Sequence, residues 1–150
     1  MSGFYFFTFL AACAAAAATG SIFLPGAWYQ GLKKPAWTPP KRAFPIIWTA
    51  LYVISAIAAT RIAQHPGAAP GLALWSLQIA LNTLWTPVFF GARRMGTGMA
   101  VIAALWVVVA LMVLVFLRID LIAGLMMVPY LAWLSLAAAL NWRIWRDNSA

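Results

Sequence analysis

Three sets of side chains in this 150-residue chain recur at helical spacing and mix aromatic with weakly polar groups: Pro45, Trp48, Tyr52 and Ser55; Gln78, Asn82, Trp85 and Phe89; and Tyr130, Trp133 and Ala137. Residues three and four apart share one face of a helix. Each set is therefore a stripe, and three stripes turned inward would line one cavity. Such a wall offers apolar area and a few hydrogen bonds. Asp120 and Asp147 are the only acids, His65 the only histidine and Cys13 the only cysteine. One chain can thus build no disulfide and no zinc-type ligand cluster, and the sequence offers no general acid–base pair or Ser-His-Asp arrangement. No glycine-rich phosphate loop is present, and neither acid sits mid-helix where a proton-coupled pump would need one.

The same residues have plainer roles open to them. Tryptophan and tyrosine anchor helices at the membrane interface, which suits Trp28, Trp37, Trp142 and Trp145 near the ends of apolar runs. Asn82 lies near mid-span, where an unpaired amide is costly. It must find either a partner on another helix or a ligand, and both remain open at this point. Trp133 lies halfway along its run, away from either headgroup belt, which favours a place in a cavity wall.

The elements that carry these stripes follow from composition. Hydrophobic residues make up 65% of the chain and charged ones 8%, with a mean hydropathy of +0.91, far from the balance of soluble domains. The expected fold is an all-α integral membrane protein, a bundle of five transmembrane helices with a long structured first loop, forming a single domain over 1–150. The apolar runs cover about 4–24, 44–63, 71–90, 97–117 and 121–145, each near the length a tilted helix needs to cross a bilayer. Pro25-Gly26, His65-Pro66-Gly67, Gly91 to Gly96 and Arg118-Ile119-Asp120 punctuate them. Leu10-Ala11-Ala12-Cys13 has the look of a lipoprotein cleavage site. No Lys or Arg precedes it, however, and the run continues to Leu24, so a retained first helix is expected.

Basic residues add an orientation. Lys33, Lys34, Lys41, Arg42, Arg93, Arg94, Arg143 and Arg146 fall on the side of the first loop and the C-terminus, and only Arg61 and Arg118 fall opposite. The positive-inside rule puts the first loop and C-terminus in the cytoplasm. The pI near 10.7 thus reflects topology, and nucleic acid is not an expected partner. Gly96, Ala100 and Ala104, and likewise Ala11, Ala15 and Thr19, form small-residue ridges suited to packing inside the bundle or between two chains.

Longer motifs carry a family resemblance. They are Trp28-Tyr29-x-x-Leu32-x-Lys34-Pro35-x-Trp37-x-Pro39-Pro40, Trp48-x-x-Leu51-Tyr52, Ala80-Leu81-Asn82-x-x-Trp85-x-Pro87-x-Phe89-Phe90-Gly91-Ala92-Arg93, Pro129-Tyr130-Leu131-Ala132-Trp133 and Leu140-Asn141-x-x-x-Trp145-Arg146-Asp147-Asn148. In this order and spacing they resemble the tryptophan-rich sensory protein and translocator protein family (TspO/MBR, the family of the peripheral benzodiazepine receptor), over nearly the whole chain. The resemblance implies a five-helix bundle in a bacterial membrane, often a homodimer, with the first loop, 25–43, as lid of a pocket. It implies porphyrin or haem as ligand, with sterols and isoquinoline or benzodiazepine-type compounds as further ligands, and neither a required cofactor nor a metal.

The ligand-binding residues that the resemblance implies are Tyr29, Trp37, Pro39, Trp48, Asn82, Trp133 and Ala137. Trp48 and Trp133 match the pair implicated in light- and oxygen-dependent porphyrin breakdown, so they are the candidate catalytic residues. Leu140-Asn141-Trp142-Arg143 has tryptophan where the family's sterol pattern has tyrosine, which argues against tight cholesterol binding. The functions to weigh are tetrapyrrole binding with a regulatory or sensory role, photo-oxidative porphyrin degradation, and transport of tetrapyrroles or lipids.

Overall fold

The computed structural model describes residues 2–22, 31–38 and 43–148. The predicted site residues Tyr29 and Pro39, and most of the expected lid 25–43, lie outside the described residues. Among the described residues five α-helices form: α1 (Ser2–Ile22), α2 (Ala43–Ala63), α3 (Ala69–Thr86), α4 (Met95–Ile119) and α5 (Leu121–Asn148). No strand occurs among the described residues. α2 from Pro45, α4 and α5 are long and apolar enough to cross a membrane, and α1 carries a shorter apolar stretch, Gly3–Ala18. α3 falls short of that mark in hydropathy because its inward stripe is polar, with Gln78 and Asn82 both buried.

Helix limits follow local chemistry. Pro70 stands in the first turn of α3, where a missing N–H costs nothing and the fixed φ suits a helix start. At its other end α3 continues into a π turn, Pro87–Gly91, where the Ala92 N–H reaches back to the Pro87 carbonyl at 2.7 Å. Arg93 then turns the chain with φ 58°, a left-handed conformation that non-glycine residues seldom adopt. α5 runs past the apolar stretch to Asn148, its last turn supported by Arg143 and Asp147, four residues apart with nitrogen and oxygen 3.7 Å apart.

The helices close a ring in the order α1, α2, α5, α4, α3, with α3 returning to α1 and α2 also meeting α3 across the interior. On α4 the buried residues Ile102, Leu105, Val109, Met112, Val113 and Phe116 follow helical spacing and face the ring's inside. Leu77, Val107, Leu111, Leu114, Leu125 and Val128 are exposed. In water they would form large apolar patches; facing lipid tails they need no cover. The α4–α5 hairpin packs most closely at Gly124, where a Cβ would sit 2.5 Å from Leu117 Cδ2 and 2.7 Å from its backbone nitrogen. Without a hydrophobic drive between helices in lipid, such close approach is a main source of their attraction.

One residue, Asp120, makes the whole α4–α5 turn. Its Oδ1 caps α5 by accepting the Ile122 N–H at 3.0 Å and the Ala123 N–H at 3.4 Å. Arg61, in the last turn of α2, donates through Nε to Oδ2 at 3.0 Å and through Nη2 to Oδ1 at 3.2 Å, and His65 Nε2 stands 3.4 Å from Oδ2. Burial pushes the carboxyl pKa up, but hydrogen bonds from Arg61, the Ala123 N–H and His65 outweigh it and hold Asp120 below the usual carboxylate range.

A depressed native pKa means stabilisation that is present above the unfolded value near 4 and lost as pH falls through the native value. Asp120→Asn keeps a capping side chain and removes the charge. Because Arg61 is 41% exposed, the loss at neutral pH should be about 1 kcal/mol rather than the larger figure for buried pairs. Thermal unfolding in detergent should show a gap from wild type at pH 7 that narrows below pH 4. A gap of constant size from pH 7 to pH 3 would contradict the ion-pair account.

Candidate functional site: an aromatic cluster around a buried amide

The inward stripes of α2, α3 and α5 meet in the half of the bundle nearest the first loop. Trp48 is the hub. Its ring lies 6.3 Å from Trp133 at 85° and 6.1 Å from Tyr130 at 81°, both edge to face, and 5.7 Å from Tyr52, one turn along α2. Edge-to-face packing sets the positive rim of one ring against the negative face of another, a geometry worth about 0.5–1.5 kcal/mol per pair beyond burial.

Below these rings runs a polar chain. Asn82 Nδ2 donates to Tyr130 Oη at 2.7 Å, and Tyr130 Oη donates to Gln78 Oε1 at 2.7 Å. Tyr52 Oη makes a long contact, 3.4 Å, to Asn82 Oδ1. Asn82 is 7% exposed and Gln78 0%, so neither amide could remain here without such partners. Gln78 Nε2 is buried and has no hydrogen-bond partner among the described residues. Asn82 has partners on other helices, tying α3 to α5 and α2, and it also lines a cavity.

That cavity is lined by Trp48 of α2, Asn82 and Trp85 of α3, and Ile102, Leu105, Leu134 and Ala137 of α4 and α5. It leaves about 20 Å³ that the centre of a water molecule can reach, room for about one water, against the roughly 300–1,000 Å³ of small-molecule pockets. A groove of about 590 Å³ opens at the other end of the bundle, among Phe6, Ile57, Arg61, His65 and Asp120. Its Arg61 and Asp120 are spent on each other, so the smaller aromatic site carries more chemistry than the larger groove.

Of the predicted site residues, Trp48, Asn82 and Ala137 line the cavity, and Trp133 stands one ring behind it, against Trp48. Trp37 lies in the described part of the first loop and is 44% exposed, away from the cavity lining. Trp85 belongs to the same stripe as Asn82 and forms part of the wall; its indole N–H donates to Asn141 Oδ1 at 3.0 Å, and its ring stacks on Phe89 at 5.1 Å. Asn141 in turn donates to the Met95 carbonyl at 3.2 Å, joining α3, α4 and α5. Ile102, Leu105 and Leu134 were not singled out from sequence. One aliphatic residue among many on an apolar helix carries no mark of its own, and only the ring order of the helices selects them.

Apolar helices with lipid-facing aliphatic surfaces and an interior wall of indoles, phenols and one amide define an α-helical integral membrane protein with an aromatic site between its helices. The chain belongs to the TspO/MBR family, whose model matches residues 9–146. It is 47% identical over 152 residues to Protein CrtK of Rhodobacter capsulatus, covering 99% of this chain and 95% of that protein. It is 48% identical over 143 residues to the tryptophan-rich sensory protein of Cereibacter sphaeroides, covering 95% and 90%. With the translocator protein of Sus scrofa it shares 38% identity over 126 residues, covering 81% and 75%. The bacterial relatives accord with a bacterial integral membrane protein.

Proposed function

We propose that the protein binds tetrapyrroles, porphyrin or haem, together with other small apolar ligands, from within the membrane, and serves a regulatory or sensory role. The observation that carries this reading is the Trp48–Tyr130–Trp133 cluster packed over the Asn82 amide. It combines a large oxidisable aromatic surface with one oriented hydrogen-bonding group. Cations at the loop end, among them Lys33, Lys34, Arg93 and Arg94, suit the propionates of such a macrocycle. Because the cavity holds about one water, a macrocycle enters only as the rings of Trp48 and its neighbours swing aside. The sensory and translocator names of the relatives agree with a membrane signalling or transport role. Sterols, isoquinoline or benzodiazepine-type ligands and a homodimer belong to the same proposal, as does a cytoplasmic first loop.

A specific site of this kind stabilises the folded chain by mass action. At a free concentration one hundred times Kd, protoporphyrin should add about 2.7 kcal/mol and raise the unfolding temperature of the nanodisc-embedded protein until the site is full. An unchanged unfolding temperature over that range would count against the reading.

A second reading, light- and oxygen-dependent degradation of the bound porphyrin with dioxygen as oxidant, is favoured by one observation. Trp48 and Trp133 are in edge-to-face contact at 6.3 Å, a pair of easily oxidised rings beside the place a macrocycle would take.

A further inference from the structure

The described part of the first loop, residues 31–38, is joined to the bundle by a side chain from the far end of the sequence. Asn148, the last residue of α5, accepts the Lys33 backbone N–H on Oδ1 at 2.9 Å and returns a hydrogen bond from Nδ2 to the Lys33 carbonyl at 2.9 Å. The second Nδ2 hydrogen goes to the Ile144 carbonyl at 2.8 Å, within α5 itself. The side-chain amide thus copies the paired N–H and C=O of a neighbouring strand, and both of its hydrogens and its oxygen are used. Turning the amide over would set oxygen against two carbonyls and NH₂ against an N–H, so only this orientation works.

Beside this pin, Leu32 packs on Phe89, Leu140 and Ile144, and Trp85 belongs to that group as well as to the main core. Trp85 also lines the aromatic cavity. Within the segment, the Thr38 N–H and hydroxyl both reach the Pro35 carbonyl, at 3.1 and 2.6 Å, which makes the strap a self-bonded turn rather than a loose chain. A strap fixed at Lys33 therefore seats Leu32 in the cluster that also holds Trp85, a residue of the cavity wall.

We propose that Asn148 is the pin of a strap, residues 31–38, and that breaking the pin sets how often the loop end of the aromatic site opens. Asn148 is a positioning residue in this account. It acts on the backbone of Lys33, so the identity of the Lys33 side chain is immaterial to the pin. The second readout below rests on the tetrapyrrole reading, whereas the first does not.

The test uses the full chain in nanodiscs, as wild type, Asn148→Ala and Lys33→Ala. Losing the pin should speed amide hydrogen exchange across 31–38 by roughly 5- to 30-fold, the factor for one or two kcal/mol, with helix exchange in α4 unchanged. Lys33→Ala should exchange as wild type does. Wild-type exchange in Asn148→Ala overturns the proposal, and so does an equal acceleration in Lys33→Ala.

Protoporphyrin dissociation, followed by stopped flow, should be faster in Asn148→Ala than in wild type. Unaltered dissociation alongside faster exchange would overturn the gating role. If protoporphyrin binds none of the three proteins, the tetrapyrrole reading fails while the exchange result still decides the pin.

Discussion

Asn82→Leu should cost about 1–3 kcal/mol of stability and, measured separately, weaken protoporphyrin binding by a comparable amount. The amide joins three helices through polar contacts at mid-bundle, giving its hydrogen to Tyr130 at 2.7 Å and standing 3.4 Å from the Tyr52 hydroxyl. Leucine fills the volume and leaves a buried phenol hydroxyl short of a partner, and the penalty for that exceeds the modest net value of the bond itself.

Tyr130→Phe should be costly in the same way, because it strips partners from both Asn82 and Gln78. The two changes share one network, so their effects should not add: the double variant should lose less than the sum of the singles, with a coupling of about 0.5–3 kcal/mol. Chemical unfolding in detergent micelles measures the stability terms. An Asn82→Leu protein that is more stable than wild type and binds normally would show that the amide is merely tolerated.

Replacing both Trp48 and Trp133 by phenylalanine should separate holding a ligand from reacting with it. Phenylalanine preserves most of the aromatic area, and the edge-to-face arrangement between the two positions survives with smaller rings, so affinity should stay within about tenfold, or 1.4 kcal/mol. Indole is far more easily oxidised than a phenyl ring. Under light and oxygen, wild type should consume bound protoporphyrin and the double variant should consume it much more slowly, as read from the decay of the porphyrin absorption band. Equal decay in the two would remove these tryptophans from the chemistry. Absence of decay in both would leave binding as the function.

How far the sequence reaches can be judged at individual residues. Helical stripes such as Gln78, Asn82 and Trp85 were readable because polar and aromatic side chains are rare enough in apolar helices for their spacing to show. Inward-facing Trp48 was readable for the same reason. The apolar runs marked the helices, though their ends moved where the terminal chemistry is not apolar: Pro70 begins α3 early, and the Arg143–Asp147 pair carries α5 on to Asn148. The ring order α1, α2, α5, α4, α3 was not readable, since no helix face on its own names its neighbour.

Everything that depends on that order escaped the sequence as well. Ile102 and Leu105 complete the cavity only because α4 lies opposite α2. The bond of Trp85 to Asn141 and the double bond of Asn148 to Lys33 join residues 56 and 115 positions apart. Asparagine near a helix end reads as an ordinary terminal residue until its partner is known. The near-filled state of the cavity was also invisible, because it depends on the particular tilt of each aromatic ring.

The central claim is that the aromatic cluster is a stoichiometric binding site and not merely a greasy surface. The nine tryptophans make intrinsic fluorescence the direct measure, with Trp48 and Trp133 at the site itself. Titrating nanodisc-embedded protein with protoporphyrin in the dark should quench that emission along a saturable curve with one ligand per chain. Ala137→Phe, which fills the water-sized space beside Trp48, should shift the curve to at least tenfold higher concentration. Quenching that rises without saturation, in proportion to porphyrin dissolved in the bilayer and equally in wild type and Ala137→Phe, would contradict the claim.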